Sequence, residues 1–246
     1  MKTIRILFIV ALVLTVGALS FNMIMIGLGA LLARGQAQTI VENYPRTLKE
    51  ELKARHTYFV PSSDIPLCAQ EGIVSVEDKR FFQNEGIDPT AIARVILMSG
   101  VNDHVDHGGS TITQQLVRII IQEPRKEPNF FAAVRDMLRI FRYALIINHD
   151  FSKEEILALY LNSVYYGKNA YGIAQAAKAY FRTSLSHLTL GQCLYLTGLP
   201  QAPSIFGKNP QGTFAIERYR HVIVTMVRNH YLTPAQATLL LAEKLF

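Results

Sequence analysis

At 246 residues the chain is long enough to bury a substantial core, and half of its residues are hydrophobic. Its formal net charge of +6 suits nucleic acid, anionic lipid or a phosphate-bearing substrate as a partner. Two cysteines are too few for a disulfide framework, which excludes a small disulfide-rich domain.

The chain begins with an uncharged apolar stretch. No charged residue occurs between Ile6 and Ala33, and as a helix this run reaches roughly 40 Å, enough to cross a hydrocarbon core of about 30 Å. We therefore predict a cytoplasmic stub and transmembrane anchor in residues 1–34, with Lys2 and Arg5 holding the N-terminus in the cytoplasm. A cleaved signal peptide is the alternative, but the run is about twice as long as a typical signal-peptide core. With the rest of the chain outside the cytoplasm, nucleic acid becomes the weakest of the three partners.

Helical signals dominate the remaining sequence. Residues 35–65 form a polar, helix-prone juxtamembrane segment, and residues 66–246 are predicted to form one domain. Alternating β-branched runs are nearly absent; segment 118–122 is the best strand candidate and continues a helical pattern equally well. The fold class is therefore predicted to be all-α. Helix starts are indicated by Asp88-Pro89, Ser152 with Glu155, Thr189 with Gln192, and Thr233-Pro234.

The two cysteines leave one question open. Cys193 lies in an apolar run and is expected to pack as a small hydrophobic residue. A bridge between Cys68 and Cys193 is the alternative, which an oxidising compartment permits.

Two segments carry candidate catalytic or binding residues. Residues 74–82 place Glu77 and Asp78 beside two basic residues and an aromatic pair, although a solvated helix end is the ordinary explanation. In residues 108–116, seven of the nine are Gly, Ser, Thr or Gln, and an apolar helical run follows. A hydroxyl there can cap that helix, whose first-turn N–H groups would form a phosphate-binding end with Arg118 further in; capping alone is the alternative.

At these segments the sequence resembles the peptidoglycan glycosyltransferases, which are the monofunctional transglycosylases and the N-terminal domains of bifunctional penicillin-binding proteins. The matching motifs occur in the family's order. They are Glu77-Asp78-x-x-Phe81 with Gly86, residues 109–116, residues 152–162, and residues 198–204.

The resemblance implies that residues 66–246 form a lysozyme-like glycosyltransferase head and a membrane-embedded jaw. It implies attack by the 4-hydroxyl of one lipid II on the anomeric carbon of the growing chain, with inversion and loss of undecaprenyl pyrophosphate. Glu77 matches the family's general base. The positions that then bind substrate are Asp78, Phe81, Gly109, Ser110, Thr111, Thr113, Gln114, Gln115, Arg118, Arg139 and Asn162.

The reaction that the resemblance implies also implies partners and a cellular location. The partners are lipid II or another undecaprenyl-pyrophosphate glycan, the bilayer of the bacterial inner membrane, and cell-wall synthesis proteins, but no nucleic acid. The protein is expected to cross the membrane once, with its catalytic domain outside the cytoplasm. A Mg²⁺ or Mn²⁺ ion bridging the pyrophosphate is compatible with the resemblance. The cluster Asp103-His104-Val-Asp106-His107 offers four metal ligands, but a polar loop explains it better and no resident metal site is predicted.

The third motif of the family is not matched. Its second catalytic Glu falls on Ile140, and no acid occurs between Asp136 and Asp150. Arg135, Arg139 and Arg142 instead form a basic helix face. Three smaller departures are Asn84, where the family usually has His, Ile119, where it usually has Asn after the second motif, and Arg182, where glycine is common.

Three hypotheses remain. In the first, the chain is still an inverting glycosyltransferase, in which Glu77 moves the proton, arginines stabilise the pyrophosphate, and Asp136 is the one nearby acid that can replace the missing Glu. In the second, it is a weak or inactive relative that binds a lipid-linked glycan or a cell-wall synthesis partner. A lytic hydrolase is the third, which the retained second motif disfavours.

Overall fold

The structure, a computed structural model, describes residues 36–90, 109–122 and 130–246. Within these ranges it contains helices and no strand beyond an isolated bridge between Tyr165 and Tyr171, which confirms the predicted all-α class. The α-helices of the described ranges are α1 Gln36–Ala54, α2 Leu67–Glu77, α3 Ile112–Ile121, α4 Phe130–Asp150, α5 Lys153–Ser163, α6 Ile173–Phe181, α7 Leu190–Gly198, α8 Pro203–Lys208, α9 Thr213–Arg228 and α10 Pro234–Ala242.

Side-chain caps determine where several helices begin. The N-cap hydroxyls of α3, α5, α7 and α10 each accept the N–H of the residue three positions on, and the Gln or Glu at that position accepts the N-cap N–H in return. Asp88 also accepts from Thr90 N–H at 3.0 Å, as a helix start there requires. The strand alternative for segment 118–122 is wrong, because the run continues α3 up to Ile121.

The helices around the predicted site form two groups. In the first group, α2, α7 and α9 contact one another, with α10 against α9. In the second group, α3 lies against α4 and α5, and α5 is buried at every position from Ile156 to Ser163. Glu77, the last residue of α2, accepts a hydrogen bond from Gln115 on α3, so it lies where the first group meets the second.

The predicted juxtamembrane segment contributes α1 to the same core. Its buried side chains recur at helical spacing and face α4 and α3. They are Ala37, Val41, Tyr44, Leu48 and Leu52. The predicted domain boundary at residues 65–66 stays a prediction.

A disulfide joins α2 to α7. It links Cys68 to Cys193 with their Cα atoms 6.2 Å apart. The expectation that Cys193 packs only as a small hydrophobic residue is therefore wrong: the side chain is fully buried, but it is bridged.

Two predictions fall outside the described residues. These are the apolar anchor, residues 6–33, and the Asp/His cluster, residues 103–107. In the ranges that the structure does describe, no helix combines the length and the apolar character needed to span a bilayer. The anchor stays a prediction.

Candidate active site

Both oxygens of the Glu77 carboxylate are held by hydrogen-bond donors from other helices. Gln115 Nε2, on α3, donates to Glu77 Oε2 at 3.0 Å, and Arg218, on α9, donates to Glu77 Oε1 at 3.2 Å. The Glu77 side chain is 14% exposed and that of Arg218 is 10% exposed. A largely enclosed carboxylate thus faces solvent at one edge, between a neutral donor and a cationic one.

Arg218 is itself fixed in place by α7. Its Nε donates to the Gly198 carbonyl at 3.0 Å, while the end of its guanidinium reaches Glu77. A side chain on Gly198 would put a Cβ 3.1 Å from Arg218 Cγ, so the missing side chain makes room for this arginine. Burial lowers the pKa of Arg218 and the Glu77 charge opposes that shift. The guanidinium thus places a positive charge beside the carboxylate that the sequence predicts to be the base.

Gln115 is in turn held from the core. The Tyr160 hydroxyl, on α5, donates to Gln115 Oε1 at 2.8 Å. Tyr160 is fully buried, and burial raises its pKa well above the ordinary range, with Glu77 raising it further. Its hydroxyl therefore stays protonated and able to donate.

The Asp78 carboxylate contacts the start of α3. One of its carboxylate oxygens accepts from Ile112 N–H at 3.2 Å, and the Asn84 amide donates to both oxygens at 3.1 and 3.0 Å. Burial raises the pKa of Asp78, and these donors oppose the shift. Thr111 Oγ1 accepts from Gln114 N–H. In the structure, the N–H groups of Ile112 and Gln114 in the first turn of α3 are thus engaged by protein side chains. Phosphate binding at this helix end stays a prediction.

The turn after Asp78 is held against α4. Gly86 has φ +86°, and a Cβ there would lie 2.7 Å from the Ala144 carbonyl, so the position requires glycine. Thr111 Oγ1 donates to the Gly86 carbonyl at 2.7 Å, and Gly86 N–H donates to Asn84 Oδ1 at 3.0 Å. Asn84, at the position of the family's usual His, therefore serves as a bridge within this turn.

The predicted substrate-binding residues divide by exposure. Gln115, Gly109, Ser110 and Arg139 are partly exposed and Arg118 is exposed, whereas the others are buried. Gln115 and Arg118 are three positions apart on α3 and so lie on the same side of that helix. The buried set is Asp78, Phe81, Thr111, Thr113, Gln114 and Asn162.

Two of the buried residues have evident structural contacts. The Phe81 ring is covered by the Lys153 ammonium group, 4.7 Å from the ring centre. Asn162 pairs with the backbone of Val60, accepting from its N–H and donating to its carbonyl, both at 2.8 Å. Substrate contact by these two residues stays a prediction.

Ile140, on which the resemblance places the family's second acid, is an apolar residue in the interior of this structure. Ile140 is only 5% exposed and belongs to the hydrophobic core. Arg139, next to it, has its guanidinium carbon 5.8 Å from the centre of the Tyr143 ring. Asp136 is exposed and lies 3.9 Å from Arg135. Within the described ranges, no group of three His, Cys, Asp or Glu residues is placed to hold a metal ion.

Two residues of the site were missed by sequence reasoning. Tyr160 lies inside a recognised motif, but nothing in the sequence indicates that its hydroxyl reaches Gln115. Arg218 lies 141 residues from Glu77 along the chain, in a charged stretch of α9 that reads as an ordinary helix surface. The contact between Arg218 and Glu77 depends on the packing of α9 against α2 and α7, which no local sequence pattern predicts.

Comparisons with known proteins agree with the motifs. A family model described as Transglycosylase matches residues 44–227. Penicillin-binding protein 1A of Rickettsia bellii is 32% identical over 82% of this chain and 25% of its own length. The Escherichia coli protein of the same name is 34% identical over 72% of this chain and 20% of its own length. This chain thus spans about a quarter or less of the length of these relatives.

A solved structure is also similar. The crystal structure of penicillin-binding protein 1A from Haemophilus influenzae aligns with 76% of this chain and 18% of its own, with a TM-score of 0.44 and 22% identity. A structural similarity at that level does not assign a role to any residue of this chain.

Proposed function

Because this chain belongs to the transglycosylase family, we propose that it is a membrane-anchored peptidoglycan glycosyltransferase that polymerises lipid II or a related undecaprenyl-pyrophosphate glycan. The observation that carries the proposal is the Glu77 carboxylate, held between Arg218 and Gln115 at a partly open edge. A positioned, ionised carboxylate is what the transfer needs to take a proton from the attacking hydroxyl.

The proposed step uses this chain's own residues. The acceptor 4-hydroxyl attacks the anomeric carbon and gives its proton to Glu77, while the bond to pyrophosphate breaks and the configuration inverts. Arg118 and Arg139 supply guanidinium groups for the departing negative charge, to which they can bind in bidentate fashion. A divalent cation on the pyrophosphate stays a prediction, and no step here depends on it.

Sequence and structure both support a location outside the cytoplasm. The uncharged run from Ile6 to Ala33 suits a single membrane crossing, and Lys2 and Arg5 suit a cytoplasmic N-terminus. The disulfide between α2 and α7 suits an oxidising compartment, since disulfides seldom persist in the cytosol.

The test is a single substitution in the full-length protein. Glu77→Gln keeps the shape of the side chain but removes the base, and we expect it to lower polymerisation of labelled lipid II by about 10²–10⁴-fold. Glu71→Gln, on the same helix, is the matched control and should retain the wild-type rate. Glycan product that persists undiminished in Glu77→Gln would show that the base is misassigned.

A second candidate function is favoured by one observation. Ile140 fills the second-acid position with a buried apolar side chain, as expected of a relative that binds a lipid-linked glycan or a cell-wall synthesis partner without turnover. Binding of lipid II with no product at high enzyme concentration would favour this candidate.

A further inference from the structure

A chain of hydrogen bonds leads from the core to Glu77. Tyr160 Oη donates to Gln115 Oε1 at 2.8 Å, and Gln115 Nε2 donates to Glu77 Oε2 at 3.0 Å. The three residues lie on α5, α3 and α2, so the chain crosses between the two helix groups. Tyr160 is fully buried, so its hydroxyl contacts Gln115 and is closed to solvent.

The position of the Gln115 amide depends on this tyrosine. Without the hydroxyl, Gln115 Oε1 would lose its donor from the core, and a partly buried acceptor without a donor is unfavourable. The Gln115 amide would then move away from Glu77, or rotate so that its oxygen and nitrogen exchange positions. A turned amide would set its oxygen against the Glu77 carboxylate, where two acceptors repel each other.

We propose that Tyr160 is a positioning residue for the acid–base chemistry of Glu77, acting through the Gln115 amide. This inference rests on the proposed function, because it assigns Tyr160 a part in the same proton transfer. The tyrosine hydroxyl fixes the amide, and the amide fixes one carboxylate oxygen in the orientation that receives the acceptor's proton.

The test compares two buried tyrosines. Tyr160→Phe removes the hydroxyl that Gln115 needs, whereas Tyr166→Phe removes an equally buried hydroxyl with no hydrogen-bond partner in the described part of the chain. For Tyr160→Phe we expect kcat to fall by about 10- to 100-fold, with the KM for lipid II within about twofold of wild type. Tyr166→Phe should leave both unchanged.

The split between kcat and KM separates positioning from a structural role. A merely structural loss would weaken substrate binding and turnover together, whereas loss of positioning should lower kcat and leave the KM for lipid II nearly unchanged. A loss of rate in Tyr160→Phe no larger than in Tyr166→Phe, or a KM that rises as kcat falls, would overturn the inference.

A double-mutant cycle shows whether Tyr160 acts through Gln115. Gln115→Leu and the double variant with Tyr160→Phe should have the same rate, since the tyrosine has nothing left to position. Losses that add in the double variant would mean that Tyr160 acts by another route.

One readout does not depend on activity. The Gln115 side-chain amide resonances, identified by their disappearance in Gln115→Leu, should exchange with solvent slowly in wild type and much faster in Tyr160→Phe. If wild type makes no polymer, the proposed function fails and this exchange measurement decides the inference alone. Equal exchange in wild type and Tyr160→Phe would then overturn it.

Discussion

At the scale of single residues, the two oxygens of Glu77 are bound unequally. The contact with Arg218 joins a cation to the carboxylate, whereas Gln115 donates from a neutral amide, so we expect Arg218 to hold its oxygen more firmly. When an acceptor hydroxyl approaches, we expect Oε2, the oxygen that the Gln115 amide orients, to receive its proton. Arg218 keeps the other oxygen.

Arg182 has a backbone conformation that is unfavourable for a residue with a side chain. It ends α6 in the left-handed conformation with φ +55°, which explains why glycine is common at this position in the family. Arg182→Gly should therefore raise the free energy of unfolding by about 0.5–1 kcal/mol, since relief of the strain exceeds the extra freedom of the unfolded chain.

The control at this position is Arg182→Ala. It removes the charge but keeps a Cβ, and thus the strain, so it should not stabilise the protein. Thermal unfolding of the detergent-solubilised protein measures both variants. Equal midpoints for Gly and Ala would show that the left-handed conformation is not the cause.

At the scale of helices, the disulfide holds the helix that carries Glu77. Cys68 lies at the start of α2 and its partner lies in α7, 125 positions further along the chain. A cross-link over so long a loop restricts the unfolded chain strongly, so its removal by Cys68→Ser with Cys193→Ala should cost about 3–5 kcal/mol of stability.

Urea unfolding with and without reductant measures that effect. Reductant should lower the midpoint of wild type and leave the double variant unchanged. Two free thiols in protein purified from the membrane under non-reducing conditions would contradict both the bridge and the oxidising location that it supports.

The helices also show how much of the structure could be predicted from the sequence. Capping boxes such as Ser152 with Glu155 are local in the chain, so the helix starts and the all-α class were predictable. The motifs also identified Glu77 and Gln115 as members of one site. Arg218 was not predictable, because its contact with Glu77 arises only when α9 packs on α2 and α7. The contact of the buried Asp78 with the start of α3 was not predictable either, and its contact with substrate stays a prediction.

At the scale of the whole molecule, the sequence predicts a family member that carries one of the two acids expected in its family. Placing a carboxylate at Ile140 is not expected to restore the second. The site is buried, and Arg139 and Arg142 flank it, so a new carboxylate would either destabilise the core or pair with an arginine away from substrate. Loss of one positioned catalytic group typically costs on the order of 10²–10⁴-fold in rate, roughly 3–5 kcal/mol.

The most direct test is gel-resolved glycan product from labelled lipid II, made by the purified full-length protein. We predict slow but real polymerisation by wild type, and no substantial increase in Ile140→Glu. A wild-type protein that binds lipid II yet yields no product at high enzyme concentration would contradict the central claim that Glu77 alone supports glycosyl transfer.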